Sequence, residues 1–341
     1  MLRNRFFGAP FNLLKSPLRS GVIIGGTTTT FDPKGIKYTG GKYYAWGAGT
    51  GIYSGYGVFA ESSDLVTWAA PIFADAVFND IASNGTDIII AGSYLGTPSL
   101  FRYNSSLSFQ ARYTPAGLSQ PRYIEWCSGF SRFVLSCATN RGYSNDSSGT
   151  SWSSQSYIGT AFSPAGLVFV ADTGRYYDLR IETTTASYII YRGNTVSAQD
   201  MLVSYGGAAV TSHNKKFAYK AGATNSLLII SREVNGPNIS VELSARDITS
   251  GLSLGSNSVF TSETQFAGAQ YFPLQDRYII LSSTGQLSAA RLVLPSTFTY
   301  NGTYNAGNLL SSAVLSDSNL ITSGPLGLVA LGGNRQIYSN P

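Results

Sequence analysis

Four ionisable residues in the middle of the chain have the types needed for chemistry: Glu125, and the Asp178, Arg180 and Glu182 of the stretch DLRIE. Two carboxylates close to an arginine could serve as acid and nucleophile in glycoside hydrolysis. Acids are scarce, however, with 18 in 341 residues, and Asp64, Asp146, Asp172 and Asp276 sit in turn-like stretches where a structural role suffices. A single histidine, His213, excludes a His-rich metal site. Cys127 and Cys137 are ten apart, so a bridge between neighbouring strands is geometrically open, but two small apolar core residues are the expected reading. The sequence shows no Gly-x-Ser-x-Gly elbow, phosphate loop or metal-spaced cluster. The glycine-rich run GAGTGIYSGYG (47–57) leaves one strand and enters another. Without a helix behind it there is no dipole to hold a phosphate. No cofactor, metal site or catalytic set is expected, and the chain is expected not to be an enzyme.

The elements that would position these residues come from composition and period. Apolar residues make up 43% of the chain and charged residues only 12%, with 37 Gly, 22 Tyr and 18 Phe. Tyr, Phe and Thr suit pleated strands, and Gly, Asn and Ser suit tight turns. A short polar turn followed by Lys, Arg or Asp and an apolar run recurs in TGGKYYAWG, NGTDIIIAG, GFSRFVLSC, DTGRYYDLR, HNKKFAYKA, LQDRYIILS and SGPLGLVALG. The markers are Lys42, Asp87, Arg132, Arg175, Lys216, Arg277 and Gly327, at steps of 45, 45, 43, 41, 61 and 50 residues. Seven copies at this spacing predict an all-β, seven-bladed β-propeller of four-stranded blades. In the first copy the inner to outer strands are expected at 35–40, 42–49, 56–62 and 66–73. In the third they are expected at 123–129, 132–138, 141–146 and 151–157. A parallel β-helix would repeat at about half this length, and no such shorter period is present. Acids and arginines on or beside the inner strands then read as paired ions of a central channel.

The C-terminal NRQIYSNP matches the third-strand segment NRGYSND of residues 140–146 and stops there, so the last blade is expected to lack its outer strand. SGVIIGG (20–26) is expected to supply it, with residues 20–30 closing a ring over 20–341 and removing an open edge. Residues 1–19 then form an extended arm outside the ring. The formal charge is +5, and the first 31 residues hold Arg3, Arg5, Lys15 and Arg19 with no acid. These alternate with Phe6, Phe7, Phe11, Leu13 and Leu14, a pattern expected to dock on a neighbouring subunit. Four cations give nucleic acid too little, and the rest of the chain is nearly balanced. Pro10, Asn12, Lys15 and Pro17 interrupt any secretory signal, and no run of 18 apolar residues spans a membrane. Tyr53, Tyr56, Tyr94 and Arg141 are candidate rim contacts, and Lys220 is similarly placed.

SSDLVTW (62–68) and SNDSSGTSW (144–152) carry the same residues at the same turn, between third and outer strand. They resemble the Asp-box (BNR) repeat of sialidase-like propellers, Ser-x-Asp-x-Gly-x-x-Trp, with Ser62, Asp64 and Trp68 in one copy and Ser144, Asp146, Gly149 and Trp152 in the other. The first is one residue short and lacks the glycine; the second is one residue long. In that family the turn is structural and lies opposite the ligand face, so the resemblance implies a propeller and not a sialidase. The Phe/Tyr-Arg-Ile-Pro motif of sialidases is absent, and DLRIE is its nearest fragment. The whole resembles structural proteins of tailed-bacteriophage virions, such as nozzle, tail-tip or host-recognition parts. That resemblance implies location in the virion after assembly in the host cytoplasm, and other tail or connector proteins as partners. It also implies a homo-oligomer in the assembly and a host glycan as a candidate ligand. A glycan-binding or glycan-cleaving sialidase-like protein is the alternative, and a soluble interaction platform a third possibility.

Overall fold

Short runs of Tyr, Phe, Ile and Val, each ended by Gly, Asn or Ser, form strands that pair only with their sequence neighbours. The computed structural model describes residues 31–157, 162–182, 184–185, 187–195, 200–206, 212–220, 226–235, 238–260, 266–272, 277–282, 286–293, 297–305, 320–331 and 337–340. The expected arm (1–19) and closing strand (20–30) lie outside the described residues.

Seven antiparallel sheets follow in chain order. The first is β1 (Phe31–Thr39), β2 (Lys42–Gly49), β3 (Gly57–Ser62) and β4 (Ile72–Ala74). The second is β5 (Val77–Ser83), β6 (Asp87–Tyr94), β7 (Thr97–Asn104) and β8 (Phe109–Tyr113). The third is β9 (Pro121–Cys127), β10 (Arg132–Cys137), β11 (Asn140–Ser144) and β12 (Trp152–Ser156). The fourth is β13 (Phe162–Val170), β14 (Arg175–Glu182), β15 (Tyr188–Gly193) and β16 (Asp200–Tyr205). The fifth is β17 (Ser212–Lys220), β18 (Ser226–Asn235), β19 (Asn238–Asp247) and β20 (Ser253–Phe260). The sixth is β21 (Phe266–Phe272), β22 (Arg277–Ser282), β23 (Gln286–Val293) and β24 (Thr297–Asn305). The seventh has three described strands, β25 (Ile321–Gly324), β26 (Gly327–Leu331) and β27 (Ile337–Asn340), the last in third place as its sequence predicts.

The first strands of successive sheets lie against one another, and β25 lies against β1, so the sheets close a ring. The Tyr38 amide donates to Thr322 Oγ1 at 3.1 Å, and the Leu326 amide donates to the Tyr43 hydroxyl at 3.1 Å. Both bonds join residues nearly 300 positions apart, from the first two strands of the first sheet to β25 and the turn after it. The fold is a β-propeller, and its sheet count fits seven blades.

The second blade buries both faces. In β6, Ile88 and Ile90 pack with Trp46, Phe59 and Phe101, between the first and second sheets. Ile89 and Ala91 point the other way, to Ile124, Phe133 and Leu135 of the third. This two-sided burial is why DIIIA reads as an unbroken apolar run instead of alternating. Five first strands carry a bulge: the residues without a partner in the register are Lys34, Asn79, Arg122, Ala165 and Ala267. A bulge re-aims the chain and raises its twist. Two of these residues, Asn79 and Ala165, line the space on the axis.

Two sequence-based boundaries need correction. Lys216 lies within the first strand β17, and the second strand of the fifth sheet starts at Ser226. The second-strand starts therefore step by 45, 45, 43, 51, 51 and 50 residues. In the first sheet the outer strand begins at Ile72, not at Val66. The amides of Val66 and Thr67 donate to Asp64 Oδ1 at 2.8 and 2.7 Å, which curls that stretch out of the extended conformation.

Candidate functional site

The ring leaves an axial cavity of about 320 Å³ lined by all seven first strands, with Lys37, Asp80, Glu125, Tyr219, Gln270 and Thr322 among its walls. Three of these residues form an ion cluster. Lys37 Nζ lies 3.1 and 2.9 Å from the two Asp80 oxygens, 3.0 Å from Glu125 Oε1 and 2.8 Å from the Ile124 carbonyl. Asp80 also accepts the amides of Ile81 and Ile124, at 2.8 and 2.9 Å. The cluster ties the first three blades together at the axis.

Its electrostatics follow from one ammonium facing two buried carboxylates. Burial alone would lower the Lys37 pKa, but Asp80 and Glu125 outweigh it, and the net shift is upward. Burial raises Asp80 against the pull of Lys37. Burial also raises Glu125, with Lys37 opposing and Asp80 adding, up to about 7. The ammonium fills the gap between the carboxylates, where a glycosidase would hold the scissile bond. The arrangement is that of a structural ion triad.

Glu125 thus faces the channel, as its sequence position suggests. The other three residues singled out for chemistry do not join it. Asp178 and Arg180 lie on β14, a second strand, and both are 1% exposed between the third and fourth sheets. Asp178 accepts the Ser136 hydroxyl at 2.7 Å and the Tyr157 hydroxyl. Arg180 donates to the carbonyls of Cys137, Ala138 and Phe162 and stacks 3.8 Å above the Tyr157 ring. Glu182, at the end of β14, accepts from Thr185 at 2.6 Å. Cys127 and Cys137 are both free and buried, in separate apolar clusters.

The third-to-fourth-strand turns behave as their residues suggest. Asp146 accepts the amides of Ser148, Thr150 and Ser151 at 2.9–3.0 Å, and these bonds outweigh its partial burial, holding its pKa down to about 2. Ser144 Oγ accepts the Phe133 amide, and Trp152 Nε1 donates to the Gly149 carbonyl at 2.8 Å. In the shorter copy Asp64 is held low by the Thr67 and Val66 amides, and Ser62 Oγ accepts the Leu65 amide at 2.9 Å. Trp68 Nε1, by contrast, is buried with no hydrogen-bond partner among the described residues. Two further turns use the same device without the motif. Asn104 Oδ1 accepts the amides of Ser106 and Ser108, and Asp247 Oδ1 those of Thr249 and Ser250. An Asp or Asn at or just past the end of the third strand in these four blades is the signal that a motif search misses.

At the opposite end of the strands, the loops joining second to third strand carry the candidate rim aromatics. Tyr53 stacks on Phe73 at 4.1 Å, Tyr56 meets Tyr53 edge-on and is 40% exposed, and Tyr94 lies beneath Arg112 at 3.8 Å. Ile52 and Leu95 are 89% and 74% exposed on the same loops. Leu95 holds φ +47° beside Gly96 at +78° in a two-residue hairpin turn, a place favouring Asn or Gly. Arg141 does not belong to this rim. It lies on β11 at 1% exposure, with its guanidinium bonded to Gln155 and set 5.5 Å from the Tyr176 ring. Its neighbours on the flanking strands bury it. Lys220 ends β17. The arm residues Arg3, Arg5, Phe6, Phe7, Phe11, Leu13, Leu14, Lys15 and Arg19 fall outside the described residues. Among the described residues no group of three or more His, Cys, Asp or Glu is placed to hold a metal ion, and no helix is long and apolar enough to cross a membrane.

No known family profile matches the chain, and no curated protein matches it in sequence. Solved structures do. One described as "YCF48 bound to D1 peptide" is similar over 94% of this chain and 95% of its own, with 16% identity and a TM-score of 0.58. Another, from "Crystal Structure of Mitotic Checkpoint Complex", is similar over 93% and 92%, with 9% identity and a TM-score of 0.63. At these identities the likeness shows the fold alone, a β-propeller.

Proposed function

We propose that this chain is a non-enzymatic propeller that works by holding other proteins, as a structural component of a larger assembly. The observation that carries this is the second-to-third-strand loop face of the first two blades, where Ile52, Tyr56 and Leu95 stand exposed. Leu95 does so in a left-handed conformation that costs about 1 kcal/mol for such a residue. Exposed apolar side chains on such loops are typical of contact surfaces. The groups that sialidase-like hydrolysis would need are committed elsewhere: Arg180 to backbone carbonyls, and Glu125 to Lys37. Both similar structures were solved as complexes, one with a peptide and one within a multiprotein assembly, which supports the same reading.

The finer proposal is a tailed-bacteriophage virion, as a nozzle, tail-tip or host-recognition part docking through residues 1–19. Low charge, the two Asp-box-like turns and the basic, aromatic N-terminal segment support it. Deleting residues 1–18 is then expected to leave the melting temperature of the ring unchanged and to abolish incorporation into particles on co-expression with the virion proteins. Normal incorporation of the truncated chain overturns the docking role. Hydrolysis of a fluorogenic sialoside, lost on Glu182→Gln or Arg180→Met in variants that keep the native circular dichroism spectrum, overturns the non-enzymatic reading in favour of the sialidase-like alternative.

A further inference from the structure

The outer strand of the first blade is too short to cover its neighbour. β4 has three residues where β8 has five, and it stands at the sheet edge with one side unpaired among the described residues. A wedge of about 600 Å³ therefore opens between the first and second blades. Its floor is apolar, made by Phe101 and Tyr103, which are 3% and 4% exposed, and its lip is Phe109, 56% exposed. At the same lip the Arg112 guanidinium carbon lies 3.8 Å from the centre of the Tyr94 ring. Its guanidinium is exposed and has no hydrogen-bond or ion-pair partner among the described residues. Asp75, one residue past β4, faces the same wedge.

We propose that this wedge binds an extended segment of a partner protein that carries apolar side chains at alternate positions and a carboxylate beside Arg112. The free edge of β4 offers main-chain donors and acceptors for an added strand, whose inward side chains then enter the wedge every second residue. The volume is that of a small-ligand cleft and suits a few large side chains. Arg112 is already oriented by its tyrosine, so a carboxylate meets a preset fork of donors with little further ordering. The inference stands on the wedge itself and does not depend on the assembly being a virion.

The test uses the full chain and a fluorescein-labelled, capped peptide, Thr-Phe-Thr-Leu-Thr-Phe-Thr-Asp-Ser, against the same peptide with Lys in place of Asp. Anisotropy is expected to show saturable binding of the Asp peptide, with the Lys peptide weaker by about tenfold, the worth of one charge-assisted contact. Arg112→Glu is expected to reverse that order and leave the circular dichroism spectrum unchanged. Equal binding of both peptides, indifference to Arg112→Glu, or no saturation up to about 1 mM overturns the proposal. Two further results would also overturn it, because they assign the wedge to this chain: binding that appears only after residues 1–30 are removed, and a dimer that Phe109→Ser dissociates. Incorporation into particles by the arm is read separately, so failure here leaves that reading intact.

Discussion

Replacing Arg180 by Ala is expected to lower the unfolding free energy by about 3–5 kcal/mol, the usual result of removing one partner of a buried ionic network. The guanidinium satisfies the carbonyls of Cys137, Ala138 and Phe162 and lies beside Asp178, which is equally buried. Without it three acceptors lose their donors and the Asp178 carboxylate loses its counter-charge. Arg180→Lys should recover only part of the loss, because an ammonium cannot reach carbonyls from two strands at once. Removing both charges together, as in Arg180→Met with Asp178→Leu, should cost less than Arg180→Ala alone. Urea midpoints at pH 7 measure all three. A loss under about 0.5 kcal/mol for Arg180→Ala, the range of an ordinary surface change, contradicts the role given to this network.

Lys37→Met is expected to cost a similar amount, about 3–5 kcal/mol at pH 8, with a pH dependence set by the two carboxylates it leaves behind. In the native protein the folded-state pKa of Lys37 is raised, so its stabilisation is complete below the ordinary lysine value of 10.5 and is lost as pH rises past it. In the variant, Asp80 and Glu125 face each other without a cation. Their folded pKa values, already raised in the native ring, then move further up. An acid with a raised folded pKa binds more protons folded than unfolded, so stability falls as pH rises from the ordinary carboxylate range through the folded value. The deficit of Lys37→Met should therefore shrink on acidification from pH 8 to pH 5, and thermal melts at both values check it. Adding Glu125→Gln to the variant should restore part of the stability at pH 8.

Much of the ring was legible in the sequence because each blade repeats a physical device. Six of the seven markers fall on the first residue of a second strand: Lys42, Asp87, Arg132, Arg175, Arg277 and Gly327. A polar turn must precede that strand, and an apolar run must follow to fill both interblade spaces. The exception, Lys216, shows where such reasoning weakens. The fifth sheet has strands of eight to ten residues, and HNKKFAYK lies inside its first strand while resembling a turn followed by a strand. Trp68 and Val66 misled in the opposite way. Their side chains favour strands, but a carboxylate two residues earlier captures the backbone amides and ends the extended run.

The site was less legible, because its contacts join strands that only ring geometry brings together. Glu125 could be placed on an inner strand from its own blade. Its partner Lys37 is 88 residues away on another blade, and Asp80 lies on the blade between them. Arg141 was expected on the rim and Arg180 beside the central channel, yet both are among the largest fully buried side chains, because the space between blades offers aromatic faces and carbonyls deep inside. The wedge at β4 was not legible at all. It arises from an outer strand three residues long, and that length depends on how the Asp64 turn is drawn.

Everything on the axis requires the seventh sheet to sit against the first. A Cβ built on Gly324 would lie 2.9 Å from Tyr38 Cγ, the place a cysteine sulfur would take, and within disulfide reach. The double variant Tyr38→Cys with Gly324→Cys, oxidised mildly and digested under non-reducing conditions, measures this closure directly. A closed ring predicts a linked peptide containing both positions within a single chain, in a protein that remains folded. Free thiols in the folded variant, or linkage only between separate chains, would contradict it.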